Sequence, residues 1–201
     1  MADDDRFGRR IRDPQALRAL AHAGRYAILE RLQEEGPATA TECAEVAGLS
    51  PSACSYHLRL LARHGFVEPD DDPARGRDGR ERWWRATTAG WQTDPEPSTD
   101  LAEIQAIDST LVRVMLASSD DKVLAFVDQA AAEPEWRAAS LTSNSTLVAT
   151  VDELVEISGA LMEVLRPYLA SARPPGRAPE GARQVHAALR LAPRPTAARG
   201  G

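Results

Sequence analysis

The stretch TATECAEVAGLSPSACSYHLRLLARHGFV, residues 39–67, decides the fold. Thr39 and Glu42 have the Thr-x-x-Glu spacing of a capping box, in which a hydroxyl and a carboxylate satisfy backbone N–H groups at a helix start. Gly48 stands where a helix C-terminus calls for a left-handed residue. Ser50 is a good N-cap, and Pro51 follows at the first helical position, where its missing N–H costs nothing. Gly65 ends the second helix. The layout is helix, short turn, helix. On the second helix Cys54, Leu58 and Leu61 recur at i, i+4 and i+7 and form one apolar stripe. Ser52, Ser55, Tyr56 and Arg59 fall on the other side. One face is predicted to pack and the other to meet a partner. An ordinary helical hairpin inside a core is the alternative reading of this stretch taken alone.

Working outward toward the C-terminus, Phe66–Pro69 reads as a strand start and Asp70–Gly79 as a turn-rich loop. Glu81–Thr87, with Trp83 and Trp84, reads as the returning strand. Between Pro73 and Arg85 lie Arg75, Arg77, Arg80, Arg82 and Arg85 against Asp78 and Glu81, a net charge of +3. A hairpin with that excess can lie along phosphates or enter a minor groove. Its position directly after the second helix favours this over a merely solvated loop.

Upstream, Asp13-Pro14 opens a helix by cap and N1 proline. Leu17 and Leu20, then Tyr26, Ile28, Leu29 and Leu32, predict two short helices before Gly36-Pro37. The order is four helices and a hairpin. The run from Asp13-Pro14 through Arg25-Tyr26-Ala27-Ile28-Leu29, the run Ser55-Tyr56-His57-Leu58 with Leu61, and Gly65-Phe66-Val67 resemble the ArsR-type winged helix-turn-helix transcriptional regulators over about residues 10–90. The resemblance implies a dimeric winged helix whose Pro51–His64 helix enters the major groove of DNA. It implies base contacts from Ser52, Ser55 and Tyr56 and a phosphate contact from Arg59, with Arg75, Arg77, Arg80 and Arg82 on the wing.

Metal sensing does not carry over. The positions of the family's Cys-x-Cys pair fall on Thr39 and Thr41, which are poor soft-metal ligands. The predicted long helix that would build the dimer has Asp108 but no histidine. His22, His57, His64 and His186 show no close ligand spacing. Cys43 and Cys54 read as small buried residues. A redox pair is the other reading, since the two helices can bring them together. No metal site and no cofactor are expected.

The chain has 201 residues, 43% of them hydrophobic, and a net charge of −6. That length accommodates one domain plus an extension. Residues 1–93 hold 14 Arg against 15 acidic residues, whereas residues 94–201 hold 10 basic against 15 acidic. The acidity therefore sits in the second half, which excludes a generic nucleic-acid coat. Any DNA contact rests on the wing and on the N-terminal Arg6, Arg9, Arg10 and Arg12. No apolar run is long enough to cross a membrane, and the opening Met-Ala-Asp-Asp-Asp is not a signal peptide. Two cysteines suit a reducing cytoplasm. The single lysine, Lys122, among many Arg and Ala reads as the coding bias of a GC-rich bacterial genome.

The predicted architecture is mainly α with small β. A winged helix-turn-helix domain over 1–92 is followed by a breaker-rich linker over 93–98. A helical extension over 99–192 serves dimerisation and leaves room for a small-molecule effector, with Phe126, Trp136, Met162 and Tyr168 as conceivable pocket walls. Residues 193–201 form a disordered tail. In the extension, helices are expected over Leu101–Ala117, Asp120–Glu133 and from a capping box at Thr150/Glu153 to about Ala170. Leu141–Ala149 and Ala182–Ala192, the latter alternating apolar and polar, are expected to pair as a two-stranded sheet.

Two function classes follow. The first is a cytoplasmic homodimeric regulator that binds double-stranded DNA by sequence, expected to repress. The alternative is a winged-helix protein-interaction module without DNA binding. An enzyme is not expected. No glycine-rich loop follows a strand, and no Ser/His/Asp set, carboxylate pair or nucleophilic cysteine stands out.

Overall fold

A computed structural model describes residues 9–72, 82–88, 90–93, 101–170, 173 and 178–194. The chain divides into two compact units between Asp121 and Lys122.

The first unit begins with β1 (Arg9–Ile11), α1 (Pro14–Leu20) and α2 (Ala23–Glu34). Then come β2 (Ala38–Thr39), α3 (Ala40–Ala47), α4 (Pro51–Arg63), β3 (Val67–Pro69), β4 (Trp83–Ala86) and β5 (Trp91–Thr93). It ends within α5 (Leu101–Gln129), which continues past the division. The helix starts form by the chemistry read from the sequence. Asp13 caps α1 by accepting from the Gln15 N–H at 2.9 Å, and Pro14 occupies the first turn. Thr39 and Glu42 make the capping box of α3, and Ser50 caps α4. Gly48 ends α3 with φ +62° and Gly65 follows α4 with φ +69°, both in the left-handed region that a Cβ disfavours.

β2, β4 and β3 form an antiparallel sheet in that order, with Ala38 opposite Trp84 and Glu68 opposite Arg85. β3 and β4 are the hairpin expected from the sequence. β2 is an addition to it, because the two residues before α3 run along β4. β1 and β5 pair in parallel, Arg9 with Trp91.

The core gathers Leu17 and Leu20 of α1, Ile28, Leu29 and Leu32 of α2, Cys43 of α3, and Cys54, Leu58 and Leu61 of α4. Phe66, Val67, Trp84, Ile107 and Leu111 complete it. Each element gives one face to this core and so releases the other. The apolar stripe of α4 is fully buried, with Cys54, Leu58 and Leu61 all at 0% exposure.

The second unit holds the end of α5, a short 3-10 turn (Ala130–Ala132), α6 (Pro134–Ala139), α7 (Val151–Leu165) and a second 3-10 turn (Arg166–Tyr168). Two predictions are corrected here. The helices expected over Leu101–Ala117 and Asp120–Glu133 are one continuous helix, because Ser118 and Ser119 are polar without breaking a helix and neither proline nor glycine intervenes. The two-stranded sheet expected from Leu141–Ala149 and Ala182–Ala192 is not formed, and both segments run without strand pairing. Alternation marks which face a strand would bury. It does not supply a paired edge or a covering layer, and Val148 and Val185 stay exposed.

The capping box at Thr150 and Glu153 is present, and α7 ends at Leu165, short of the expected Ala170. Among the described residues of this unit only Ala130 is buried. Phe126, Trp136 and Met162 are half-buried and Tyr168 is exposed. The Arg183 guanidinium lies over Trp136, with its carbon 4.8 Å from the ring centroid, and pairs with Glu133.

Candidate nucleic-acid interface

The α4 helix presents its polar side because its apolar side is committed to the core. Ser52, Tyr56 and Arg59 are exposed and Ser55 is half-buried. Tyr56 retains 52% of its surface. The Ser50 hydroxyl accepts from the Ala53 N–H at 3.2 Å and lies 3.1 Å from the Ser52 hydroxyl. The cap therefore fixes one rotor of the exposed face.

A groove of about 340 Å³ opens between the starts of α3 and α4 and the strand β4. Thr41, Ser52, Ser55, Arg59, Arg82 and Trp84 line it. Arg82 is held over the Trp84 ring, 5.1 Å from its centroid. Trp84 is itself buried by the core, so an arginine of the wing is positioned by the fold and not by the loop. The groove thus collects two guanidinium groups and three hydroxyls, all donors suited to an anion. Thr41, one of the two positions where the resembling family carries a cysteine ligand, lines it. The other, Thr39, lines it too, but it is 4% exposed and its hydroxyl is engaged by Glu42.

Not every predicted cation is placed here. Arg6, Arg75, Arg77 and Arg80 lie outside the described residues. Arg85, counted in the charge of the wing, pairs with Glu68 across the hairpin at 2.6 Å, as the register Glu68–Arg85 dictates. Arg9, expected to add to a DNA-facing patch, instead donates from Nη1 to the carbonyls of His64 at 2.7 Å and Gly65 at 2.8 Å. It also lies over the Phe66 ring at 5.0 Å. It satisfies the carbonyls of the cap residue and of the glycine that follow α4. A Cβ at residue 65 would come within 3.1 Å of Arg9 Nη1, a second reason for the glycine there.

Behind Tyr56 lies a pair of histidines that the sequence did not foretell. His57 sits 4.9 Å from His22, and Tyr56 meets the His57 ring edge-on at 5.5 Å. His22 caps α2, its Nδ1 accepting from the Gly24 N–H at 3.1 Å. Both imidazoles titrate below their ordinary range, first because burial disfavours the charged ring. The Arg25 guanidinium adds to this for both, and His22 adds to it for His57. The folded state therefore prefers both rings neutral, a contribution that is complete above the unfolded value of 6.5 and lost as pH falls through the lower folded values. Acidification charges two rings beside Arg25 and removes the lone pair that caps α2. The melting temperature of the native chain should fall more steeply between about pH 7 and about pH 5 than that of a His22→Asn/His57→Asn variant. Parallel curves from calorimetry would disprove the account.

Among the described residues no three His, Cys, Asp or Glu side chains converge as a metal site, and no helix is long and apolar enough to cross a membrane.

Residues 20–70 match the family model of a helix-turn-helix domain. That span contains α2, α3 and α4 and the first strand of the wing. No curated protein and no solved structure matches the chain significantly.

Proposed function

We propose that the protein is a homodimeric transcriptional regulator of ArsR-like type that binds double-stranded DNA by sequence in the cytoplasm and represses. The observation that carries this reading is the division of α4. Its inner stripe is wholly buried, while Ser52, Ser55, Tyr56 and Arg59 face outward beside a groove holding Arg82. The match of residues 20–70 to a helix-turn-helix domain supports it.

In this reading residues 1–92 bind DNA. Ser52, Ser55 and Tyr56 meet base edges in the major groove. Arg59 and Arg82 hold backbone phosphates, and Arg75, Arg77 and Arg80 extend that path along the wing. Residues 99–192 dimerise. On α5, Val112 and Met115 are exposed at 50% and 37% within a few residues of the buried Ile107 and Leu111, an apolar surface that suits a second copy. Two copies would set their recognition helices about one DNA turn apart and read a palindrome. The role is binding, with no catalytic step and no cofactor. A small-molecule effector would act through the dimer.

The net charge of −6 favours a second reading, a module that binds protein instead of nucleic acid. Selection from a randomised duplex library at low salt separates the two. The regulator reading expects a palindromic consensus. It also expects Tyr56→Ala to reduce the ratio of consensus to random binding by roughly fivefold to a hundredfold while non-specific affinity changes little. Failure of the chain to retain any duplex at low salt would favour the protein-binding module.

A further inference from the structure

The groove between the starts of α3 and α4 and the strand β4 has a charge balance that a duplex backbone alone does not match. The chain as a whole carries −6, yet among the described residues the groove is lined by two guanidinium groups, Arg59 and Arg82, and by no carboxylate. Neither arginine is ion-paired among the described residues. Glu42, in the first turn of α3, is turned back onto Thr39, accepting from its N–H at 2.7 Å and from its hydroxyl at 3.0 Å. Arg85, by contrast, is neutralised by Glu68. We propose that this groove is a binding site for a small organic phosphate monoester that carries hydroxyl groups, and that such a ligand competes with DNA for the outward face of α4. The site stands on its own geometry. Only the competition rests on the DNA-binding reading.

Charge selects the monoester. A backbone phosphodiester carries one negative charge, whereas a phosphate monoester carries about −1.5 to −2 at neutral pH. Two unpaired guanidinium groups on one groove match the second more fully. Each presents a planar fork of donors that fits phosphate oxygens. Arg82 is already held over the Trp84 ring, so part of the ordering that binding requires is supplied by the fold.

The remaining lining limits the rest of the ligand. Trp84 is 5% exposed and its ring lies under Arg82, which leaves no free aromatic face for a nucleobase to stack on. No carboxylate of the lining accepts from an ammonium group. The hydroxyls of Thr41, Ser52 and Ser55 can each donate and accept, and they suit the hydroxyls of a sugar or polyol. A groove of about 340 Å³ lies within the size range of small-molecule sites. Ser52, Ser55 and Arg59 are also the residues assigned to the duplex, so one occupant excludes the other.

The test titrates the full chain by calorimetry at constant ionic strength. The probes are the monoesters glycerol 3-phosphate and glucose 6-phosphate, inorganic phosphate, glucose and the diester dimethyl phosphate. At least one monoester should bind saturably, and glucose and dimethyl phosphate should bind roughly tenfold more weakly or less. Arg59→Gln and Arg82→Gln should each weaken the monoester by roughly tenfold or more, while Arg85→Gln leaves it unchanged. Unaltered melting temperatures would show that the variants remain folded. No saturable monoester binding, or binding indifferent to Arg59 and Arg82, would overturn the site. Inorganic phosphate or dimethyl phosphate bound as tightly as the monoester would overturn the ligand class. In a second arm, the monoester should release the selected duplex where sodium chloride of equal ionic strength does not. A duplex retained while calorimetry shows the monoester bound would overturn the competition. Should the chain bind no duplex at all, the DNA-binding reading falls, and the calorimetry still decides the site.

Discussion

Leu58→Ala is expected to lower the unfolding free energy by about 3 kcal/mol, within the range seen when a buried leucine is truncated. Leu58 has no exposed surface and lies on the α4 stripe between Cys54 and Leu61, in the one cluster that α1, α2, α3, the hairpin and α5 all join. Removing its branched end deletes apolar packing and leaves a cavity that helices fixed by caps at Asp13, Thr39 and Ser50 cannot easily close. Small domains are stable by only about 5–15 kcal/mol, so a large part of the margin disappears. Denaturant unfolding followed by circular dichroism checks this, with Val46→Ala as the control. Val46 is on α3 but 56% exposed, and its truncation should change stability by no more than about 0.5 kcal/mol. Similar midpoints for the two variants would mean that the α4 stripe is not the centre of the core.

The second large effect concerns the groove. On the DNA-binding reading, the double variant Arg59→Gln/Arg82→Gln is expected to weaken duplex binding at low salt by on the order of a hundredfold, since a charge-assisted hydrogen bond is worth about 1.5–3 kcal/mol. The more diagnostic quantity is salt dependence. Each phosphate that is no longer neutralised should flatten the slope of log K against log salt by about 0.9. Glutamine keeps much of the side-chain stem, so packing on Trp84 is largely preserved. Arg85→Gln is the internal comparison. Its charge is already neutralised by Glu68 at 2.6 Å, so the slope should stay near that of the native chain. A slope that responds to Arg85 but not to Arg59 and Arg82 would place the phosphate path elsewhere.

The contrast among the arginines shows how far the sequence could be read. The capping residues Asp13, Thr39, Ser50 and Thr150 were legible because a helix start is a local problem, solved within four residues by a side chain and its own backbone. The buried stripe of α4 was legible because its period matches the helix turn. Arg9 was not. Nothing near it in sequence says that the carbonyls of His64 and Gly65, more than fifty residues away, will need a donor. Arg82 looked like one cation among several until Trp84 held it at the groove. The His22–His57 pair was hidden for the same reason, since one ring caps α2 and the other rides on α4.

From its residues alone the chain determined where its capped helices begin, which side of α4 is apolar, and that a hairpin follows. Those properties depend on neighbours within a few positions and on a fixed helical period. The folded chain decided which charges remain available to a ligand, that residues 38–39 add a strand to the hairpin, and that two imidazoles meet. Each of those outcomes needs two distant segments brought to one place by burial of a shared core, and no local pattern encodes that distance.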